Sequence, residues 1–492
     1  MASSRRSFLK RSAATMVAAG FPTIVPSSVF GQTAPSNRIN IGAIGVGRIS
    51  RGHDMPGVIQ FTGKPGRDNR IVAVCDLDAN RVELGKQYVD QAYTKKLGTP
   101  YTGTRGYADY KELLAQKDID AVLISTPDHQ HARLAVAAVQ AGKDVYLQKP
   151  ASLTIREGRL MVEHVKASGR ILQVGSQQRS WKQFARAAEL VRNGRIGEVK
   201  QVEIGLPGDP PGGDATPMPA PTGFNYDAWL GSTPEVPYTV DRVMPQKGFD
   251  RPGWLRMEQF GAGMITGWGA HHVDVAHWFM NADNKVPLKT IANGAFLTVP
   301  DADPEMVPDS FSISWLYDNF LMTFANAEAF TTNELENWGV FFVGNRASLQ
   351  INRQGWAVRS VVAPVRNKQG IPPPPTAGGV TLGAGGVQIA PGAPGGAGGG
   401  RGGRGGRGTG GGGNLPAGES MVYVNLRGGV EEDYPLDVHT RNFLDCVKSR
   451  EKPNAHMDIG YHSALPCLLA LESLQQGKPV GWDAGGRKST AL

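Results

Sequence analysis

Cysteine is scarce: three residues in a chain of 492, Cys75, Cys446 and Cys467. None stands in a C-x-x-C pair, which argues against a zinc-ribbon pattern and a dithiol redox motif. An odd count leaves at least one thiol unpaired within the chain. Cys446 and Cys467 fall on two predicted helices and could pair in an oxidising compartment, but three free buried thiols is the favoured reading. A membrane span is also missing. The apolar stretch from Ala13 to Val25 is broken by Gly20 and Pro22, and a span needs roughly 20 apolar residues. Nor is there a real excess of positive charge in the body of the chain. The formal net charge is +8, but Arg5, Arg6, Lys10 and Arg11 lie in an acid-free start, and Arg401, Arg404 and Arg407 lie in one glycine tract. What remains is close to neutral and gives no electrostatic case for a nucleic-acid partner.

What the start does contain is SRRSFLKRS, then the short apolar stretch, then a small residue near Gly31. That order reads as a cleavable export signal. The adjacent arginines followed by Phe8 and Leu9 look like the signal of the twin-arginine route, which carries proteins already folded. A signal over residues 1–31, cleaved near Gly31, and a periplasmic or extracytoplasmic location are therefore expected.

The length suggests two domains, each with its own core. From 36 to 178, short apolar stretches such as RINIGAI, RIVAVCD, DAVLIST, DVYL and ILQVG alternate with amphipathic helical stretches such as HARLAVAAVQAGK. That alternation predicts a parallel sheet covered on both faces. From 179 to 484 the rhythm changes to Pro/Gly loops and longer strand-like stretches, SFSISWLYD, FLMTFANAEA and WGVFFVGN, closed by helices near 438–449 and 459–476. This predicts an α+β domain with a large, mostly antiparallel sheet. Residues 370–418 are a Gly/Pro-rich insert whose composition cannot offset the entropy of ordering, so a disordered surface loop is expected.

The first strand runs into GAIGVGRIS. Gly45 and Gly47 occupy the first two places of a dinucleotide fingerprint, and Ser50 the third, where a small residue is needed. Arg48 and Ile49 open the helix whose N-terminus would face a pyrophosphate. The next strand ends in Asp76, an acceptor for the adenosine ribose and a repellent for a 2′-phosphate, so NAD is expected over NADP. The first domain is thus read as a Rossmann domain. Lys149-Pro150 follows the strand DVYL at the sheet edge where ligands of such sheets sit. A fixed ammonium there could polarise a substrate hydroxyl. His271, Asp274 and His277 invite a metal reading, but positions 271 and 277 diverge by about 120° on a helix, so no metal is expected.

Together GAIGVGRIS, VAVCDLD, STPDHQHARLAVAAVQAGKDVYLQKP, LQVGSQQRS, YDAWLGSTP, GWGAHHVDVAHW and HTRNFLDCVKSREKP resemble the Gfo/Idh/MocA oxidoreductases. That family is named for glucose–fructose oxidoreductase, inositol dehydrogenase and a rhizopine catabolism protein. The resemblance runs from about 38 to 484, apart from the insert. It implies that Lys149 lies by the nicotinamide and the substrate hydroxyl, that Thr126, Pro127 and His131 line the cofactor, and that Gln177 and Trp229 lie near the nicotinamide end. The family usually reads Glu-Lys-Pro where this chain has Gln148-Lys149-Pro150; Gln148 could still bond the nicotinamide ribose. It often reads Asp-x-Gly-x-His-x-x-Asp where this chain has Gly267, Gly269, His271 and Asp274. The resemblance makes His271 the general base. Its unperturbed pKa near 6.5 suits that task. The absence of an acid at 267 implies either a different substrate or a base oriented by Asp274 instead.

The implied activity is hydride abstraction from a carbinol carbon of a small sugar, polyol or glycoside. An exported protein that folds around NAD would hold it tightly and recycle it in each turnover. A dehydrogenase that releases NADH and a non-catalytic carbohydrate-binding protein are the alternatives. A homo-dimer or tetramer is expected through an exposed face of the second sheet. Trp254 and Arg256 are candidate sugar contacts, and His439 and His462 are expected to be structural.

Overall fold

A computed structural model of the chain describes residues 38–64, 68–206, 216–243, 252–297, 306–326, 338–360, 380–383, 386–389, 421–424, 435–483 and 488–491. The expected export signal lies outside these residues, as does most of the Gly/Pro-rich insert. Inside 370–418, where no regular structure was expected, Val380–Gly383 and Gly386–Ile389 pair as an antiparallel hairpin. Both four-residue stretches carry branched residues that favour strands.

Six strands form the first sheet: β1 Ile39–Ile44, β2 Asn69–Cys75, β3 Arg105–Tyr107, β4 Ala121–Ile124, β5 Asp144–Leu147 and β6 Leu172–Val174. All pairs are parallel, in the order β3-β2-β1-β4-β5-β6. This is the doubly wound order whose direction reverses between β1 and β4, where a crevice opens beyond the strand ends. The strands are nearly continuous apolar runs because helices cover both faces, as parallel sheets require.

The second sheet has ten strands: β7 Val199–Gly205, β8 Lys289–Ala295, β9 Ser310–Leu316, β10 Leu321–Ala325, β11 Gly339–Gly344, β12 Ala347–Asn352, β13 Gly355–Ser360, and then Met421–Val424, Val480–Asp483 and Lys488–Ala491. It is antiparallel except where β7 lies beside β10. Strand β9 shows how one face is buried. Phe311, Ile313 and Trp315 are buried, while Ser312 and Leu316 face out. The inner face packs on the helices Lys182–Arg192 and Gly269–Phe279, with Phe279 stacked on Phe342 at 4.8 Å between ring centres.

The boundary near 178 is crossed by the far end of the chain. The helix Pro435–Ser449 contributes Phe443, Leu444 and Cys446 to the core around β1 and β2. The helix Met457–Gln476 adds Met457, Leu465 and Leu469 to the first domain's other core, and Cys467 and Ala470 to the second domain's. The two domains are therefore clamped by shared helices. All three cysteines are free and buried.

Candidate active site

A cavity of about 420 Å³ lies beyond the C-terminal ends of β1, β2, β4 and β5 and is roofed by the second domain. Its floor is the glycine loop. Gly45 has φ of +82°, a left-handed conformation that favours glycine. A Cβ there would stand 2.8 Å from the Ser125 carbonyl oxygen and 2.9 Å from Thr126 Cγ2. The loop is tied down by Gly45 N–H donating to the Cys75 carbonyl at 2.9 Å and by Val46 N–H donating to Asp76 Oδ2 at 2.7 Å. Burial raises the Asp76 carboxyl above its ordinary range, with Arg81 and the Val46 and Asp78 amides opposing the rise. Gly47, Arg48, Ile49 and Asp76 line the cavity at this end, as do Thr126 and Pro127.

Gln148, Lys149 and Gln177 line the other end, joined by Gly267, Trp268 and His271 from the second domain. The Lys149 ammonium donates to the Gly267 carbonyl at 2.8 Å. A backbone oxygen thus meets the lysine at the position where the family often carries aspartate, and a Cβ at 267 would meet nothing within 4 Å. His271 is buried. Burial pushes its imidazole well below its ordinary pKa, and the Lys149 and Arg353 charges push the same way. The expected value near 6.5 therefore does not apply, and the ring is held neutral. The buried atoms His271 Nδ1 and Thr126 Oγ1 have no hydrogen-bond partner among the described residues. A glycine loop with no side chain at one end, and unpaired polar atoms at Thr126 beside it and at His271 at the other end, fit an elongated polar ligand such as a dinucleotide.

Two expected site residues do not line the cavity. His131 is buried behind it, with Nδ1 2.7 Å from the Pro150 carbonyl oxygen and Nε2 3.0 Å from that of Thr126. It braces the two loops that do line the cavity. Asp274 is turned away from the role of orienting His271. Arg179 Nε donates to its Oδ1 at 2.9 Å and its Oδ2 at 2.8 Å, while Arg179 Nη2 reaches Asp283 at 2.5 Å. Burial holds the Asp274 carboxyl at about 6, against the pull of Arg179. Positions 271 and 274 share a helix, but that helix is buried all round, so each side chain serves a different neighbour. His277 meets the Tyr317 hydroxyl at 2.7 Å. His439 sits between Ser180 Oγ and the Val174 carbonyl, and His462 lies 2.8 Å from the Asp458 carbonyl.

Trp229 and Trp254 line the cavity; Arg256 does not. Trp229 is brought there by a stitch between the domains. Ala79 N–H donates to the Gly223 carbonyl at 3.0 Å and Asn225 N–H to that of Leu77 at 2.9 Å. Three residues that sequence reading passed over also matter. Asp128, next to Pro127, lines the cavity, and burial raises its carboxyl to about 8 despite the Lys149 charge. Arg353 arrives from the turn between β12 and β13 and lies over the Trp268 ring at 4.9 Å. Asp54 bonds Gln148 from below. Asp128 stood inside a quoted motif and could have been noticed. Nothing in sequence marks Arg353, because its approach depends on a hairpin from the other domain. Among the described residues no group of three or more His, Cys, Asp or Glu is placed to hold a metal ion, and no helix is long and apolar enough to cross a membrane.

Comparison with known proteins agrees with this architecture. Residues 39–176 match the NAD-binding Rossmann-fold model of the GFO_IDH_MocA oxidoreductase family, and residues 212–319 match the model of its C-terminal alpha/beta domain. The inositol 2-dehydrogenase of Salmonella typhimurium is 22% identical over 271 residues, covering 55% of this chain and 62% of that one. A glycosyl hydrolase family 109 protein of Shewanella pealeana is 30% identical over 173 residues, 35% of this chain and 36% of that one. The matches therefore span less than two thirds of these relatives' length. A dehydrogenase of Bordetella pertussis, solved with NADH and UDP-GlcNAcA, shares the fold with a TM-score of 0.55 at 14% identity over 91% of this chain and 99% of that one. Glycine loop, parallel sheet and second-domain roof together place this chain in the Gfo/Idh/MocA oxidoreductase family.

Proposed function

We propose that the chain is an NAD-dependent oxidoreductase that removes hydride from a carbinol carbon of a sugar, polyol or glycoside. The observation that carries this reading is the convergence of Lys149, from the end of β5, and His271, from the second domain's buried helix, on one cavity that starts at Gly45. Nicotinamide, when bound, supplies the hydride acceptor. The Lys149 ammonium, anchored on the Gly267 carbonyl, orients and polarises the substrate hydroxyl. The neutral His271 ring takes the hydroxyl proton. Gln148 offers hydrogen bonds at the nicotinamide end, Gln177 closes it, and Thr126 offers its hydroxyl nearer the glycine loop. Asp76 favours the free ribose hydroxyls of NAD over the 2′-phosphate of NADP.

The SRRSFLKRS start favours export of a folded protein through the twin-arginine route to the periplasm, with NAD loaded beforehand, held tightly and recycled in each turnover. Sugar transfer, epimerisation or glycoside cleavage would then be the net reaction, and the likeness to a glycosyl hydrolase family 109 protein supports this. The likeness to an inositol 2-dehydrogenase favours a second reading, a polyol dehydrogenase that releases NADH. The outer face of the second sheet carries exposed Ile291, Leu316 and Leu321, which suits burial in a homo-oligomer.

Purified mature protein would be denatured and its released nucleotide identified by absorbance and mass, then a carbohydrate panel screened. Stoichiometric NAD with turnover independent of added NAD supports recycling. Growth of 340 nm absorbance only with added NAD supports the second reading. Lys149→Ala is expected to lower turnover by about 10²–10⁴-fold. An unchanged rate on every active substrate would refute the catalytic reading.

A further inference from the structure

The residue before Lys149 is a neutral amide, Gln148, where the family usually carries glutamate. The lysine thereby loses the carboxylate beside it in sequence. The fold brings another from 94 positions upstream. Asp54 ends the π-helical turn Ser50–Asp54 that follows the glycine loop and is only 1% exposed. Its Oδ1 accepts from Gln148 Nε2 at 2.8 Å, and its Oδ2 accepts from the Ser125 hydroxyl at 2.6 Å. The ionised Asp54 carboxylate, the form present above about pH 7, accepts only, and there the Gln148 amide turns its Nε2 toward it. Its Oε1 then faces the Lys149 backbone N–H at 3.3 Å. Burial raises the Asp54 carboxyl to about 7; the Ser125 and Gln148 bonds and then the Lys149 charge act the other way. The Lys149 charge thus acts on Asp54, which does not line the cavity, as it does on Asp128, which does.

We propose that Asp54 is a positioning residue: bonded to Gln148 and Ser125, its carboxylate gives Lys149 the negative charge that position 148 lacks, and fixes the Gln148 amide against the cavity wall. The proposal rests on the reading of Lys149 as the group at the reacting hydroxyl. It ties the glycine loop, the end of β4 and the Lys149 loop through one buried side chain. A charge at 54 and an amide at 148 are then interchangeable with the reverse pair, because an amide nitrogen facing a carboxylate makes the same bond from either side.

A charge swap tests this on the full chain without a known substrate. Competitive acetylation with acetic anhydride across pH, read by peptide mass, gives the basicity of Lys149 separately from its accessibility. Asp54→Asn is expected to lower the Lys149 pKa, so that at pH 8 it labels about tenfold faster, one pKa unit. Gln148→Glu alone sets two carboxylates in contact and should weaken folding. Asp54→Asn combined with Gln148→Glu should bring Lys149 labelling back to within about threefold of the wild type. Lys149 labelling unchanged in Asp54→Asn, or a double variant no closer to wild type than that single variant, would overturn the proposal. Should Asp54→Asn alone fail to fold, a folded double variant with native Lys149 labelling supports it, and a double variant that also fails overturns it. NADH titration of the wild type separates the two ideas: no NADH binding defeats the oxidoreductase reading whatever Lys149 does, whereas NADH binding with an insensitive Lys149 defeats only the role of Asp54.

Discussion

Asp274→Ala is the most informative single perturbation, because the family resemblance implies a catalytic role and the three-dimensional contacts point to a structural one. The Asp274 side chain is 1% exposed and the Arg179 side chain 5%. Removing the carboxylate strips both acceptors from the buried Arg179 Nε. Taking one partner from a buried ion pair costs about 3–5 kcal/mol. Arg179 keeps Asp283, whose side chain is 28% exposed, and its contact with the Trp278 ring at 5.6 Å. The expectation is therefore the lower end, about 3 kcal/mol. Urea unfolding followed by tryptophan emission measures it, with NADH titration run alongside well below the midpoint. Asp274 does not line the cavity, so NADH affinity should stay within about threefold. Arg179→Met added to Asp274→Ala removes both charges, and the double variant should be more stable than the sum of the singles by about 2 kcal/mol. A loss in Asp274→Ala under about 1 kcal/mol, or lost turnover at unchanged stability, would refute the structural argument.

Two further outcomes follow from the same geometry. Gly45→Ala forces a side chain onto a left-handed backbone and against the Ser125 carbonyl at 2.8 Å; NADH affinity by calorimetry should fall by at least about tenfold. Burial pushes the His277 ring down to about 3, below an unfolded value near 6.5. Its folded pKa is depressed, so the unfolded chain takes up the proton first and stability is lost as pH falls below 6.5. Between pH 7 and 5 this one ring costs about 2 kcal/mol, and His277→Phe should flatten the acid limb of the unfolding free energy by that amount; an unchanged slope would show that the ring is not buried neutral.

Much of the first domain was legible because its signals are local. Apolar stretches of four to seven residues between helical segments specify β1, β2, β4 and β5, and Gly45, the first glycine of GVG, is required where it stands by backbone sterics. Strand β3, only three residues long, has too little pattern to read. The pair Lys149 and His271 was reachable only through resemblance, since each alone is an unremarkable strand-end lysine or helix histidine. His131 and Asp274 sit in the expected segments, yet their side chains face carbonyls and an arginine rather than the cavity. A residue's place on a helix follows from sequence, but what it faces depends on the element packed against it.

By itself the sequence determined the kinds of layer, the dinucleotide loop and the near-neutral body, because hydrophobic period, glycine stereochemistry and charge are properties of short stretches. Only the tertiary structure decided that a backbone oxygen at 267 meets Lys149, that Arg353 lies over Trp268, and that Asp54 stands beneath Gln148. The two hydrogen bonds among them join residues 94 and 118 positions apart. They exist because two domains, clamped by helices from the end of the chain, close over the same sheet edge. No local rule of composition or period encodes such a meeting.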